Sequence, residues 1–393
     1  MMLSRPVHVV ALVLICLGGS TSAASAEQGR QSSSSILFSD KEITKIKRHG
    51  PWPPPLKRDP SNKVSGNVGA IKFGRALFFD RHLSKNGQVS CATCHRESRG
   101  WTDGVAISKA AGTAVHRNTQ SLLDVRFNRW FGWGGQADNL WAQSIRPIIA
   151  PTEMGMTARQ VVQLVRRDQV LLKHYREVFG GAASFDDAEG ALANIGKALA
   201  AFQETLVSKR TPFDDFRDAL AARAWKAAGR YPVSAQRGAK IFVGRGRCGV
   251  CHFGPRFTTG EFHDAGVPYF IARGKVDSGR FDGVKAVKQG PWNLASRHND
   301  DPKKSGAWAS RQVVRLHRNF GEFRIPTLRN LAKTAPYMHN GSLPTLERVV
   351  RHYSEINMER LHSDGEQILK PLKLSDGEIS DLVSFLKTLS ALN

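Results

Sequence analysis

Cysteine is scarce in this chain, with five residues in 393. Cys16 lies in an apolar N-terminal stretch and the other four form two Cys-x-x-Cys pairs, so nothing is left to build a structural disulfide framework. Long apolar runs are missing too. The candidate from Val9 to Leu17 is too short to span a bilayer, so no stable membrane anchor is expected. Runs of alternating polar and apolar residues are absent, which removes a sheet-based architecture. Acidic residues are few, 34 against 57 Lys and Arg, for a formal charge of +23. The plain reading of that excess is a solvated basic surface, and the functional one is electrostatic steering of an acidic protein partner. No nucleic-acid recognition motif accompanies it. With 41% apolar and 23% charged residues, the composition is that of a folded globular chain.

What is present begins with a secretory pattern in residues 1–26: Arg5, the apolar stretch, and Ala24-Ser25-Ala26 as a small-residue cleavage site before Glu27. The mature protein is therefore expected in the periplasm. A lipoprotein reading through Cys16 is weakened by Ile15, where a small residue is wanted. Residues 27–64 are polar and then proline-rich, ending near Pro51-Trp52-Pro53-Pro54-Pro55, and read as an extended arm. Helical periodicity dominates beyond it. Val161, Val162, Leu164 and Val165 begin one apolar face, Ala191 to Leu206 form another, and Ser375 with Glu378 make a capping box before Ile379, Leu382, Val383, Leu386 and Leu389. A turn-like break at Arg230-Tyr231-Pro232 divides the chain into domains 65–230 and 231–393. Gly74 to Phe79 and Gly238 to Phe242 share a Gly-x-x-x-Phe flavour, a weak internal repeat. The stretch from Gly260 to Gly321 reads as a long elaborated loop region.

Each half carries one pentapeptide of special chemistry, Cys91-Ala92-Thr93-Cys94-His95 and Cys248-Gly249-Val250-Cys251-His252. In a Cys-x-x-Cys-His motif the two thiols form thioethers to the vinyl groups of a haem, and the histidine ligates its iron. Zinc can use Cys-x-x-Cys pairs, yet a histidine directly after each pair in an exported chain favours two covalent haem c groups. The occupant of the other face of each iron then decides the function. Two six-coordinate haems make an electron carrier, and one open haem beside an acid–base group makes a peroxidase.

Over nearly the whole mature chain the sequence resembles the bacterial di-haem cytochrome c peroxidases and the related MauG enzymes. The blocks that carry the resemblance are Gly74 to Asp80, Arg117-Asn118-Thr119, Pro151-Thr152-Glu153-Met154, and Phe323 to Gly341. It implies a mostly α-helical protein of two cytochrome c-like haem domains with a shared interface, reacting with hydrogen peroxide at the first haem, that of His95. Trp133, on residues alone a packing or turn residue among glycines, would stand between the haems. Gln143, Pro147 and Glu153 would form the distal pocket, with Glu153 as the proton shuttle and Gln143 orienting peroxide.

The resemblance also implies a sixth ligand on the second iron. Peroxidases carry methionine there and MauG carries tyrosine, and the matching residue is Tyr353, which on pattern alone extends the helical face of Val349, Val350 and Ile356. Met338 and Met358 are the nearest sulfur alternatives. A calcium ion is implied between the domains, held by Asn118, Thr334 and Pro336. His116 either caps the resting first iron or is a loop histidine. The expected function is MauG-like oxidation of a protein substrate. A cytochrome c peroxidase fed by a small donor cytochrome is the alternative, and a non-enzymatic di-haem electron carrier is the reading from another class.

Overall fold

A computed structural model describes residues 36–393 except 111–112, 362–363, 365–367 and 392–393. The expected signal segment and arm residues up to 35 lie outside the described residues. Helices dominate: α1 (Asp40–Lys47), α2 (Val68–Phe79), α3 (Leu140–Ile149), α4 (Ala158–Arg167), α5 (Gln169–Phe179), α6 (Ala188–Gln203), α7 (Pro212–Ala221), α8 (Val233–Val243), α9 (Arg280–Gln289), α10 (Leu346–Ser354) and α11 (Asp376–Lys387), besides single turns. Strands among the described residues are two or three residues long and form three two-stranded ribbons. No described helix is long and apolar enough to cross a membrane.

The apolar side chains gather in two main clusters. The first takes Phe73 and Leu77 from α2, Trp141, Ile145 and Ile148 from α3, Val161, Val162 and Val165 from α4, and Leu192, Ile195 and Leu199 from α6. The second takes Phe242 from α8, Val350 from α10, and Ile379, Leu382 and Phe385 from α11. The α11 capping box forms as expected, with Ser375 Oγ accepting from the Glu378 backbone N–H.

The weak repeat has a packing cause. A Cβ on Gly74 of α2 would stand 1.9 Å from the Ala198 carbonyl oxygen of α6, and one on Gly238 of α8 would stand 2.1 Å from that of Asp381 in α11. In each half a glycine lets the helix before the haem motif press against a partner backbone. Phe78 and Phe242, four residues on, fill the core beneath.

The arm and the stretch 260–321 are more structured than expected. The arm is not extended throughout, because α1 carries a Ser39/Glu42 capping box and buries Ile43 and Ile46 in the second cluster. His49 follows, buried and stacked on Phe257 at 4.5 Å. Phe213, Phe216 and Leu220 of α7 join that same cluster although they precede residue 230. The second core thus recruits chain from both sides of the expected boundary, because apolar faces seek burial wherever their partners lie and not in sequence order. The stretch 260–321 also contains regular structure, the helix α9 and the ribbon of 270–272 with 275–276.

Candidate active site

Both pentapeptides fold into tight turns whose cysteines are partly buried, and no disulfide joins them. The histidines behave alike. His95 Nδ1 lies 3.0 Å from the Trp101 carbonyl, and His252 Nδ1 lies 3.0 Å from the Phe257 carbonyl. An Nδ1–H donated to each carbonyl fixes the ring and leaves Nε2 as the free lone pair, the arrangement a metal-ligating imidazole needs. Trp101 and Phe257 are both buried and both hold positive φ, 63° and 53°. Bulky residues rarely take that conformation, so the chain accepts strain to aim these two carbonyls. Burial lowers the His95 pKa and brings that of His252 down to about 4, keeping both imidazoles neutral.

Each histidine faces a cavity. The first is lined by Cys91, Cys94 and His95 together with Gln143, Pro147 and Glu153. The second is lined by Cys248, Cys251 and His252 together with Tyr353. Asn118, Thr119, Trp133 and Arg324 line both. The residues fit the group the motifs imply: two thiols and a neutral imidazole border each space. Gln143 Oε1 in the first is buried with no hydrogen-bond partner, a polar atom that needs one.

The helix α3 explains how Gln143, Arg146 and Pro147 reach one cavity. Asn139 caps it by accepting from the Ala142 N–H. Trp141, Ile145 and Ile148 point into the core, so Gln143, Arg146 and Pro147, at i, i+3 and i+4, share the other side and line the cavity. Pro147 removes the N–H that would bond the Gln143 carbonyl, and the helix ends two residues later. The chain then turns through the Glu153 N–H to the Ala150 carbonyl at 2.9 Å, which brings Glu153 back to the cavity.

Glu153 is distinguished from the other carboxylates of this cavity. Asp277 is held by Arg117 at 2.6 Å, and although burial opposes it, that pairing leaves its pKa below the usual range. Asp282 accepts from Ser278 Oγ at 2.5 Å. The Glu153 carboxyl makes no hydrogen bond among the described residues. Burial raises its pKa, and the nearby Arg146 charge pulls it part of the way back.

Trp133 is locked in place by donating from Nε1 to the Asn118 carbonyl at 2.8 Å, while its own carbonyl accepts from the Arg324 N–H at 2.7 Å. Gly132 beside it, at φ 75°, makes the turn. Tyr353 sits in the last turn of α10, and burial beside Cys251 and Cys248 raises its phenol pKa. Met338 lines the same cavity, whereas Met358 is exposed and does not. Asn118, Thr334 and Pro336 come together on the second cavity. His116 is exposed at the first, with Nε2 3.3 Å from Lys275 Nζ.

The sequence profile of the di-haem cytochrome c peroxidases matches residues 69–221. The methylamine utilization protein MauG of Methylorubrum extorquens is 33% identical over 380 residues, covering 96% of this chain and 90% of that protein. The chain belongs to the di-haem cytochrome c peroxidase and MauG family. It is an enzyme of that family, a di-haem oxidoreductase, and the family implies two haem c groups. The cytochrome-c peroxidase IdrP2 of a Pseudomonas species is 32% identical over 83% of this chain and 82% of its own. Among solved structures, a MauG-like protein associated with microbial copper homeostasis superposes with a TM-score of 0.62 at 26% identity, covering 87% of this chain and 96% of that one. The di-haem peroxidase BthA of Burkholderia thailandensis gives 0.65 at 21% identity, covering 86% of this chain and 87% of its own, a likeness of fold.

Sequence reasoning passed over Arg146, Arg256, Arg324 and His49. Arg324 lies inside the Phe323 to Gly341 block between Phe323 and Ile325, and nothing in so basic a chain sets it apart from the exposed arginines.

Proposed function

We propose that this protein is a periplasmic enzyme that reacts with hydrogen peroxide in the cavity of His95 and uses the oxidising equivalents on a protein substrate, in the manner of MauG. The observation that carries the reading is the set of groups on that cavity: a neutral imidazole, an unpartnered amide oxygen and a half-buried carboxyl without a hydrogen bond among the described residues. When bound, haem supplies an iron held by His95 that can cleave the O–O bond and take up two oxidising equivalents. Gln143 Oε1 accepts a hydrogen bond from peroxide and orients it. Glu153 takes the proton from one peroxide oxygen and returns it to the other, so that water leaves. Burial lifts its pKa towards the operating pH, which suits a group that must both accept and donate. Trp133, bordering both cavities, is the contact for electron exchange between them.

Tyr353 on the second cavity supports the MauG-like branch, since a phenolate favours the oxidised states of iron. Met338 on the same cavity supports the second reading, a peroxidase that relays electrons from a donor cytochrome. The excess of basic residues suits an acidic partner in either case. Asn118, Thr334 and Pro336 would supply oxygen donors for calcium. The carbonyls of Thr334 and Pro336 accept no hydrogen bond among the described residues, which fits a cation. Adding peroxide to the fully ferric protein, with no reductant, separates the branches. The MauG-like reading expects a prompt and lasting spectral change that a protein substrate discharges. Reaction only after prior reduction of the second haem would favour the peroxidase and sink the first reading.

A further inference from the structure

Arg324 is a buried cation with no counterion among the described residues. It is 6% exposed, and its backbone is fixed on both sides, by the N–H donated to the Trp133 carbonyl and by pairing with Phe262. Among the described residues its guanidinium makes one hydrogen bond, from Nε to the Gly132 carbonyl at 3.4 Å, long for an N–H···O contact. No described carboxylate pairs with it, and it borders both cavities. The other two buried arginines among the described residues, Arg329 and Arg280, are provided for. Arg329 holds Asp214 at 2.7 Å and the Pro255 carbonyl at 2.7 Å. Arg280 donates to the Gly134 and Gly135 carbonyls, lies over the Trp130 and Phe262 rings, and borders neither cavity. Arg256, on the second cavity, donates to the Phe127 carbonyl and Asn128 Oδ1 but leaves Nε buried and unpartnered. The nearby carboxylate of Asp124 is occupied by Ser208.

A guanidinium taken out of water without an anion is costly, and arginine is the side chain least able to escape by losing its proton. Its planar fork fits a carboxylate with two parallel hydrogen bonds. We propose that Arg324 and Arg256 are carboxylate-binding residues of the two cavities, and that the carboxylates they receive are haem propionates, with Arg324 serving the junction of the pair. The chemistry that fits is a carboxylate, and a small acid from solution is the competing source. The identity of the anion rests on the di-haem reading, so haem content is measured first: loss of haem binding in the native protein would fail that reading alone.

The test is made on the two-haem protein. In the native form, resonance Raman bands of the propionate groups should sit at the position of strongly hydrogen-bonded carboxylates and stay there on adding acetate. Arg324→Gln should shift those bands and lower the potential of at least one haem, because a positive charge that favours the reduced iron is gone. The ferric-to-ferrous ratio at a fixed ambient potential should rise at least tenfold. Arg324→Lys, which keeps the charge and loses the fork, should hold the potential near native while still shifting the bands. Unchanged bands and potentials in Arg324→Gln would overturn the proposal, and bands that respond to acetate would assign the site to a free acid instead. If Arg324→Gln does not accumulate with two haems, Arg256→Gln and the native spectrum decide, and native bands characteristic of water-exposed propionates would reject it.

Discussion

Replacing Glu153 with glutamine keeps the shape of the side chain and removes its ability to exchange a proton. The three carboxyls bordering the first cavity set the size of the effect. Asp277 is committed to Arg117, which keeps it ionised but weakly basic, and Asp282 is engaged by Ser278. No second carboxyl on that cavity combines freedom from partners with a raised pKa, so Glu153→Gln has no substitute. A positioned acid–base group contributes about 10²–10⁴-fold, or about 3–5 kcal/mol of barrier at 1.36 kcal/mol per tenfold. The absence of a backup places the expected loss in the upper part of that range. The assay is stopped-flow mixing of the ferric protein with peroxide across pH. Glu153 must be ionised to accept the first proton, so the native rate should fall on the acid side with a midpoint above the ordinary value of 4.5, since burial raises this carboxyl. Glu153→Gln should abolish that limb together with the rate. A variant with both haems and the native rate and pH profile would refute the reasoning.

Other outcomes follow from the same geometry. Arg146→Gln removes the charge that holds the Glu153 pKa down, so the acid limb should move to higher pH, and a limb that stays put would mean the two groups do not communicate. Tyr353→Phe should abolish the low-spin ferric signal of the second haem and Tyr353→Met should raise its potential; loss of that signal in Met338→Leu, with Tyr353→Phe unaffected, would reassign the ligand. Gly238→Ala drives a Cβ to within 2.1 Å of the Asp381 carbonyl oxygen and should cost about 1–3 kcal/mol or more in thermal unfolding, with an unchanged midpoint refuting the close helix contact.

Much of this was legible in the sequence because its signals are local. Two pentapeptides name their own chemistry, and the α11 capping box and stripe fall where periodicity placed them. Gln143, Pro147 and Glu153 were named only through the resemblance: the structure puts Gln143 and Pro147 on one face of α3, and bringing Glu153 to their cavity takes a turn after α3 that no pattern in the residues specifies. The non-local parts were not legible. The helix α1 and residues of α7 belong to the second core for reasons of packing, and nothing in their sequence says which core will take them. Arg324 looks like one arginine among many in a basic chain, and only burial on both cavities singles it out.

The central claim is that the cavity of His95 is the open, reactive one and that of His252 is closed by a protein ligand. Electron paramagnetic resonance of the ferric protein, with and without cyanide, tests it most directly. One high-spin signal that cyanide converts, beside one low-spin signal that cyanide leaves alone, is the expected result. Two low-spin haems that both ignore cyanide would contradict it and make the protein an electron carrier.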